Sequence, residues 1–309
     1  MDFVRRFIAT ALAGLALAGC STPPFATARP EAPPARIAVI SAFEPELVML
    51  RQRLQGAQSQ RINGVEFITG SLEGRPVLLF LSGISMTNAT MNTQLALDRF
   101  KVSHIVFSGI AGGVNPQLHI GDVTVPAQWG QYLEVLMARE TSPGRYAVPP
   151  FIDDAKQFPN FGMMFPRPVE FRSATQPGMT KKFWFEADPK MLAAARDLPV
   201  QLAACSGTTC LSHTPKLVVG GNGVSGPAFM DNAAFREYTF RSFQANVLDM
   251  ETAAVGMVAH SNGVPFIAFR SLSDLAGGGE GGNEMGTFMK LAADNSAKVL
   301  LAFLARWKP

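Results

Sequence analysis

Residues 247–278 read VLDMETAAVGMVAHSNGVPFIAFRSLSDLAGG and decide the fold class. Behind the acidic segment Asp249-Met250-Glu251, apolar residues recur with the period of a helix, at Ala253, Ala254, Met257 and Val258. The pair Asn262-Gly263 is typical of a helix end, and residues 264–269 form a short apolar run typical of a buried strand. A helix followed by a buried strand predicts an α/β fold.

Polar and acidic side chains flank this helix and strand. Glu251 stands at the helix start. After the strand come Arg270, Ser273 and Asp274. Ligands of α/β sheets bind outside the carboxyl ends of strands, where two carboxylates are suited to holding a sugar and to proton transfer. The alternative is structural, because acids commonly cap helix N-termini and Asp commonly forms turns.

The first twenty residues, MDFVRRFIATALAGLALAGC, have the pattern of an export signal. Two arginines precede an apolar core at residues 7–18, which is shorter than a typical membrane-spanning helix. Residues 17–20 resemble the lipobox of bacterial lipoproteins. This resemblance implies a lipid on Cys20 and a location at the periplasmic face, with Ser21 favouring the outer membrane. An ordinary cleaved signal with an incidental cysteine is the alternative.

The rest of the chain divides into a tether and one domain. Residues 21–35 are rich in proline and poor in large apolar side chains, which is typical of a flexible tether. Residues 36–309 suit a single domain and contain no further run long enough to span a membrane, so membrane contact is expected only through the lipid. The formal net charge of +3 is mild and argues neither for nor against nucleic acid, and no nucleic-acid partner is expected.

Cys205 and Cys210 flank the turn-rich residues 206–209. In an oxidising compartment they are expected to form a disulfide that closes a small loop, with free thiols as the alternative. Together with His213 they would supply at most three zinc ligands, so no metal site is expected. No cofactor is expected either.

Residues 36–40 form another short apolar run and predict the first strand. The spacing of the next leucines predicts a helix behind it, and Pro45 suits the first turn of that helix. Glu46 is therefore expected at a helix start, just beyond the carboxyl end of a strand.

The following residues predict a hairpin, a helix and a strand. Residues 64–81 are expected to form a hairpin that turns at Glu73-Gly74, and residues 89–100 a helix. Residues 103–107 predict a buried strand that ends in a loop of small residues at 108–113, and another strand starts within residues 121–126. A glycine-rich loop lets a ligand approach the backbone closely; a tight turn is the alternative.

Four segments resemble, in the same order, the nucleoside phosphorylase/nucleosidase superfamily, and the nearest enzyme pattern is 5′-methylthioadenosine/S-adenosylhomocysteine nucleosidase. They are residues 37–46, 108–113 followed by 119–123, 249–253 and 270–274, spread over about 240 residues. The stretch GNGVSGPAFMDN at residues 221–232 and the paired cysteines also resemble an exported branch that includes the plant bark storage proteins.

The resemblance implies a single three-layer α/β domain with a mixed sheet between helices, a purine nucleoside as ligand, and a homo-oligomer, either dimer or trimer. By resemblance Asp274, oriented by Ser273, protonates purine N7, and Glu46 activates the attacking water. An acid and a base on opposite faces form an inverting arrangement, in which the acid needs a raised pKa. The remaining implied contacts are Glu251 with the ribose hydroxyls, Met250 on the sugar, Phe229 stacked on the base with Met230 alongside, and Gly112 in the pocket wall.

Phosphorolysis is the first alternative to hydrolysis, and it requires a site for a phosphate dianion, usually built from arginines. Related phosphorylases carry an Arg where this chain has Phe107, and a Gly-Asp-Pro-x-Arg loop where this chain has residues 41–46. Glu46 would repel an anion, whereas a water needs such a base, so hydrolysis is favoured. A protein that keeps the fold and binds or stores nucleosides without catalysis is an alternative of another class.

The chain also departs from the nucleosidase pattern. Ile110 stands where the nucleosidase has Ser, Phe43 replaces a Met, and Asp249 replaces a Glu. Residues 128–215 match poorly and are rich in proline and aromatic side chains. They are expected to line the mouth of the pocket, to form a subunit interface, or to form an elaborated surface layer. The 5′ substituent of the substrate is therefore the least defined feature.

Overall fold

A computed structural model describes residues 34–308 of the chain. The export signal, the lipidation site Cys20 and residues 21–33 of the tether lie outside this range, so these assignments stay predictions. Among residues 34–308, no helix combines the length and the apolar character needed to cross a membrane.

The described residues form α-helices and strands of widely different lengths. The helices are α1 (Glu44–Arg53), α2 (Met86–Arg99), α3 (Pro189–Ala194), α4 (Ala233–Phe243), α5 (Thr252–Asn262) and α6 (Met285–Arg306), with a 3-10 turn at Asp154–Lys156. The strands are β1 (Arg36–Ser41), β2 (Gln55–Ile62), β3 (Val65–Leu72), β4 (Arg75–Leu81), β5 (Val102–Gly113), β6 (Val123–Val125), β7 (Gln128–Gln131), β8 (Val135–Met137), β9 (Arg139–Ser142), β10 (Arg145–Ala147), β11 (Met164–Pro166), β12 (Val169–Ser173), β13 (Gln176–Lys182), β14 (Trp184–Glu186), β15 (Cys205–Ser206), β16 (Thr209–Cys210), β17 (Leu217–Val219), β18 (Asn222–Ser225), β19 (Ala245–Asp249) and β20 (Phe266–Asp274).

The central sheet is mixed. Its strand order is β14-β7-β18-β19-β5-β1-β4-β3-β2, with β20 beside β5 and β6, and β17 beside β6. β1 pairs in parallel with β4 and β5, and β20 pairs in parallel with β5. β2, β3 and β4 pair in antiparallel fashion, and the turn between β3 and β4 lies at Glu73-Gly74 as predicted.

Helices cover both faces of this sheet. Ile37 and Val39 of β1 belong to a core that also contains residues of α1, α3 and α6. Ala38 and Ile40 belong to a second core, which contains residues of α2 and α5. Successive side chains of a strand point to opposite faces, so an uninterrupted apolar strand needs cover on both sides. The three-layer α/β fold is therefore confirmed.

The strands that carry the predicted site are longer than expected. The prediction of a loop at residues 108–113 is wrong, because β5 continues to Gly113. The strand end predicted at Phe269 is wrong as well, because β20 continues to Asp274. The reason is pairing: β20 runs beside β5 as far as Asp274 opposite Gly112, and β19 pairs with the last two residues of β5. Three strands thus hold a stretch whose small residues favour turns.

Residues 128–215 elaborate one edge of the sheet. They contribute β7 and β14 to it and form separate two-stranded sheets from β8 and β11, β9 and β10, and β12 and β13. Phe158 and Phe183 pack against Phe243 of α4, with ring centroids 5.1 and 5.5 Å from it. Cys205 and Cys210 are joined by a disulfide across the β15–β16 hairpin.

Candidate active site

A cavity of about 340 Å³ lies at the carboxyl ends of β1, β5, β19 and β20. The sheet topology brings these ends together although they are far apart in the chain. All the nucleoside-site residues that the sequence predicted line this one cavity, namely Glu46, Gly112, Phe229, Met230, Met250, Glu251, Ser273 and Asp274.

Glu46 lies in the first turn of α1, which begins two residues earlier at Glu44 and has Pro45 near its start. Its carboxylate accepts hydrogen bonds from the backbone N–H of Ala42 at 2.7 Å and of Ile110 at 2.8 Å. The side chain is buried. Burial raises the pKa of Glu46, while Arg270 and the backbone donors act in the opposite direction.

Arg270 is fully buried on β20 and faces three carboxylates. Its Nε lies 2.8 Å from Oδ2 of Asp249, and its terminal nitrogens lie 3.6 Å from Glu46 and 3.4 Å from Glu251. It also donates to the backbone carbonyl of Ile110 at 3.1 Å. One guanidinium therefore holds three acids of the cavity, as a fork of planar donors is suited to do.

Asp249 fixes the junction between β19 and α5. Its Oδ1 accepts from the backbone N–H groups of Glu251 and Thr252, both at 3.1 Å. It also accepts from the hydroxyl groups of Ser225 and Thr252. Asp249 therefore caps the start of α5 as well as pairing with Arg270. Sequence reasoning quoted both residues in motifs and gave neither a role.

Glu251 precedes α5, with Oε1 accepting from the backbone N–H of Ser85 at 2.8 Å. Burial and the neighbouring carboxylates of Asp249 and Glu46 raise its pKa to about 7, against the opposing charge of Arg270. Its protonation state therefore changes near neutral pH.

Asp274 ends β20 and is buried without an ion-pair partner among residues 34–308. The Ser273 hydroxyl donates to Oδ2 at 2.8 Å, and the backbone N–H of Ala276 donates to Oδ1 at 2.8 Å. Burial raises the pKa of Asp274, and the charge of Glu284 acts in the same direction, while the hydrogen bonds oppose it. This carboxyl group is therefore poised to hold a proton.

Two glycines keep space for these acids. A Cβ on Gly109 would lie 2.3 Å from both Arg270 Nη1 and Glu46 Oε1, so only glycine leaves room for that ion pair. A Cβ on Gly112 would lie 3.2 Å from Oδ1 of Asp274. The small residues of β5, which were predicted to form a loop, thus allow these side chains to pack closely against the strand.

The other walls of the cavity are apolar. Phe229 follows β18 and is 56% exposed, so one face of its ring is available to a ligand. Sequence reasoning did not place Ile84 or Met285 in the site, although both line it. Neither residue belongs to a motif, so only the fold could reveal them.

Residues 128–215 contribute none of the lining of this cavity in the described chain. The prediction that they line its mouth is therefore not supported, and their aromatic packing suits an elaborated layer. Among residues 34–308, no cluster of three or more His, Cys, Asp or Glu side chains is arranged to hold a metal ion.

Comparison with known proteins agrees with this geometry. A 5′-methylthioadenosine/S-adenosylhomocysteine nucleosidase of Bacillus thuringiensis is 31% identical over 278 residues, covering 88% of this chain and 100% of that relative. The nucleosidase of the same name from Geobacillus kaustophilus is 28% identical over 274 residues, covering 88% of this chain and 98% of that relative. The solved nucleosidase structure from Colwellia psychrerythraea in complex with adenine has a TM-score of 0.66 and 25% identity, covering 88% of this chain and 95% of that one.

A family comparison covers almost the whole described chain. Residues 36–305 match the family described as Phosphorylase superfamily. The match includes all four motif segments and every element that lines the cavity. The chain therefore belongs to the phosphorylase superfamily.

Proposed function

We propose that this protein is a nucleosidase that hydrolyses the N-glycosidic bond of a purine nucleoside. One observation carries the proposal: Glu46 and Asp274 line the same cavity, and their neighbours differ in charge. Glu46 faces Arg270, whereas Asp274 has no cationic partner among the described residues. Two carboxyl groups in such different environments divide the roles of base and acid between them.

Asp274 acts as the general acid. Because its pKa is raised, it keeps its proton closer to neutral pH than an exposed Asp does. It donates this proton to the purine, the C1′–N bond breaks with both electrons going to the base, and positive charge develops on the sugar. Protonation of the leaving group stabilises this transition state, as in O-glycoside hydrolysis.

Glu46 acts as the general base. Its carboxylate accepts the proton of a water as that water forms a bond to C1′. Burial raises the pKa of Glu46, and Arg270 and the two backbone N–H donors oppose this by stabilising the carboxylate that this step needs. Glu251, held beside Arg270, accepts hydrogen bonds from the sugar hydroxyls.

The cavity favours water over phosphate as the nucleophile. Within residues 34–308, no Lys, Arg or His lines it. Arg270 lies behind the lining, and its nitrogens contact Asp249, Glu251 and the carbonyl of Ile110. A phosphate dianion would therefore meet carboxylates without a free cation to balance its charge.

The apolar wall favours a nucleoside with an apolar 5′ group. Phe43, Ile84, Ile110 and Met285 line the cavity, and their side chains consist only of hydrocarbon or thioether groups. Such a wall suits a methylthio group better than a hydroxyl, which would leave a polar group without a partner. The names of the relatives, at 28–31% identity, agree with 5′-methylthioadenosine as the substrate.

The test is release of free base by the purified protein from 5′-methylthioadenosine, adenosine and inosine, with and without phosphate. Release without phosphate, fastest from 5′-methylthioadenosine, is expected. Release only with phosphate would make the protein a phosphorylase. Binding of nucleoside by calorimetry without release from any of the three would make it a binding protein.

A further inference from the structure

We propose that Asn283 is a positioning residue for this reaction. Its amide donates to Oδ1 of Asp274, so that Oδ2 carries the proton given to the leaving base. It also links this carboxyl group to the segment that bears Phe229. The proposal rests on the proposed function and adds a residue that belongs to none of the sequence motifs.

Asn283 stands at the end of the glycine-rich residues 275–282, just before α6. Its Nδ2 lies 3.1 Å from Oδ1 of Asp231 and 3.5 Å from Oδ1 of Asp274. Its own Oδ1 accepts from the backbone N–H of Met285 at 3.0 Å. Only the nitrogen of an amide can donate to carboxylates and only its oxygen can accept from N–H, so the network fixes the orientation of this side chain.

The contacts of Asp274 decide which of its oxygens carries the proton. Oδ1 faces two N–H groups, from the backbone of Ala276 and the side chain of Asn283. Both groups donate and neither accepts, so the lone pairs of Oδ1 are engaged. Oδ2 faces the hydroxyl of Ser273, which is able to donate or to accept. The protonated carboxyl group is therefore accommodated best with its proton on Oδ2.

The same amide reaches the Phe229 segment, residues 228–232. Asp231, its second acceptor, belongs to this segment. The backbone N–H of Asn232 donates to the carbonyl of Ala276 at 3.1 Å, and Gly277 fits so closely that a Cβ would lie 2.4 Å from that nitrogen. The Phe229 ring is largely exposed, so these contacts position its segment together with the packing of Met230 against the core.

Asn283 donates to two carboxylates, those of Asp231 and Asp274, and Asp274 also has a charged neighbour. Both carboxylates accept from the same amide nitrogen, Nδ2. The charge of Glu284 also acts on Asp274. Arg236 of α4 donates to the carbonyl of Gly113 at 2.8 Å. The remaining acids of the cavity, Glu46, Asp249 and Glu251, are grouped around Arg270.

The test is the pH dependence of kcat/KM for base release from 5′-methylthioadenosine by the Asn283→Ala and Asn283→Asp variants of the full chain. Asn283→Ala removes a hydrogen-bond donor to the ionised carboxylate, which raises the pKa of Asp274. The alkaline limb of the kcat/KM profile is therefore expected to move to higher pH by roughly half a pH unit. Asn283→Asp adds a like charge and is expected to move it further. At pH 7 we expect kcat to fall about tenfold in each, because the acid is less well oriented.

Three controls make the result decisive. Glu280→Gln removes an exposed charge from the same loop and is expected to leave the profile unchanged. Asn283→Ser keeps a short polar side chain beside the helix start and replaces Asn283→Ala if the alanine variant does not fold. If Asn283 links the two carboxylates, the loss in the Asp231→Ala/Asn283→Ala double variant is smaller than the product of the single losses.

A folded Asn283 variant with the wild-type alkaline limb and wild-type kcat would overturn the proposal while leaving the nucleosidase assignment intact. An Asp274→Asn variant with wild-type turnover would instead overturn the nucleosidase mechanism itself. The two failures are therefore distinguishable.

Discussion

Neighbours tune two similar carboxyl groups for opposite tasks in this cavity. Glu46 lies beside a guanidinium and two backbone donors, and Asp274 lies beside a hydroxyl and uncharged N–H groups. We expect Glu46→Gln and Asp274→Asn each to lower kcat by about a thousandfold, the typical contribution of a general base or acid, because neither amide can transfer the proton. The measurement is steady-state release of free base at pH 7.

Retained binding separates chemistry from folding in these variants. Both substitutions are close to isosteric, so nucleoside affinity by calorimetry is expected to stay within about tenfold of the wild type. Turnover above a tenth of the wild-type value in either variant would contradict the assigned role.

The motifs predicted eight of the residues that line the cavity, but not how they are held together. Arg270 was expected beyond a strand end, and its contacts with Asp249 and Glu46 depend on the register of β20 against β5. Asn283 reaches Asp274 only through the path of a glycine-rich loop. Short segments specify residue types well, whereas contacts between distant segments follow from strand pairing that no local pattern encodes.

At the scale of elements, helix ends offer a matched pair of substitutions. Gly263 ends α5 with φ of 66°, and an added Cβ would lie 2.9 Å from Thr175 Cγ2. We expect Gly263→Ala to lower the free energy of unfolding by about 1 kcal/mol or more. Gly286 lies in the first turn of α6 in open space, so Gly286→Ala is expected to raise it by roughly 0.5 kcal/mol.

Urea unfolding of the two variants measures both effects. An unchanged midpoint for Gly263→Ala would show that the chain accepts a side chain in the left-handed conformation there.

The order of the elements was predictable from apolar periodicity, but their ends at the site were not. β5 and β20 extend because three strands meet, a tertiary effect that overrides the turn preference of glycine and serine.

At the scale of the whole molecule, the buried acids make stability depend on pH. Glu251 has a pKa of about 7 in the folded protein against an ordinary value of 4.5. The folded state therefore binds this proton more tightly than the unfolded state, and stability is lost as pH rises through this window. The Glu251→Gln variant lacks this titration. Its Tm minus the Tm of the wild type is therefore expected to increase by about 5 °C from pH 5 to pH 8.

Thermal unfolding of both proteins in the same series of buffers provides the measurement. A constant difference in Tm across this pH range would mean that Glu251 titrates alike in the folded and unfolded states. Comparing differences in Tm cancels the contribution of Asp274, whose burial acts in the same direction, and the measured difference includes the mutual effect of Glu251 and Glu46.

The acids around Arg270 also couple ligand binding to the release of protons. Near pH 7 a substantial fraction of Glu251 is protonated, and donation from two sugar hydroxyls favours its ionised form. Nucleoside binding is therefore expected to release a fraction of a proton to the solvent. The observed binding enthalpy at pH 7 will then change between phosphate and Tris in proportion to the ionisation enthalpy of the buffer, and Glu251→Gln will abolish that dependence.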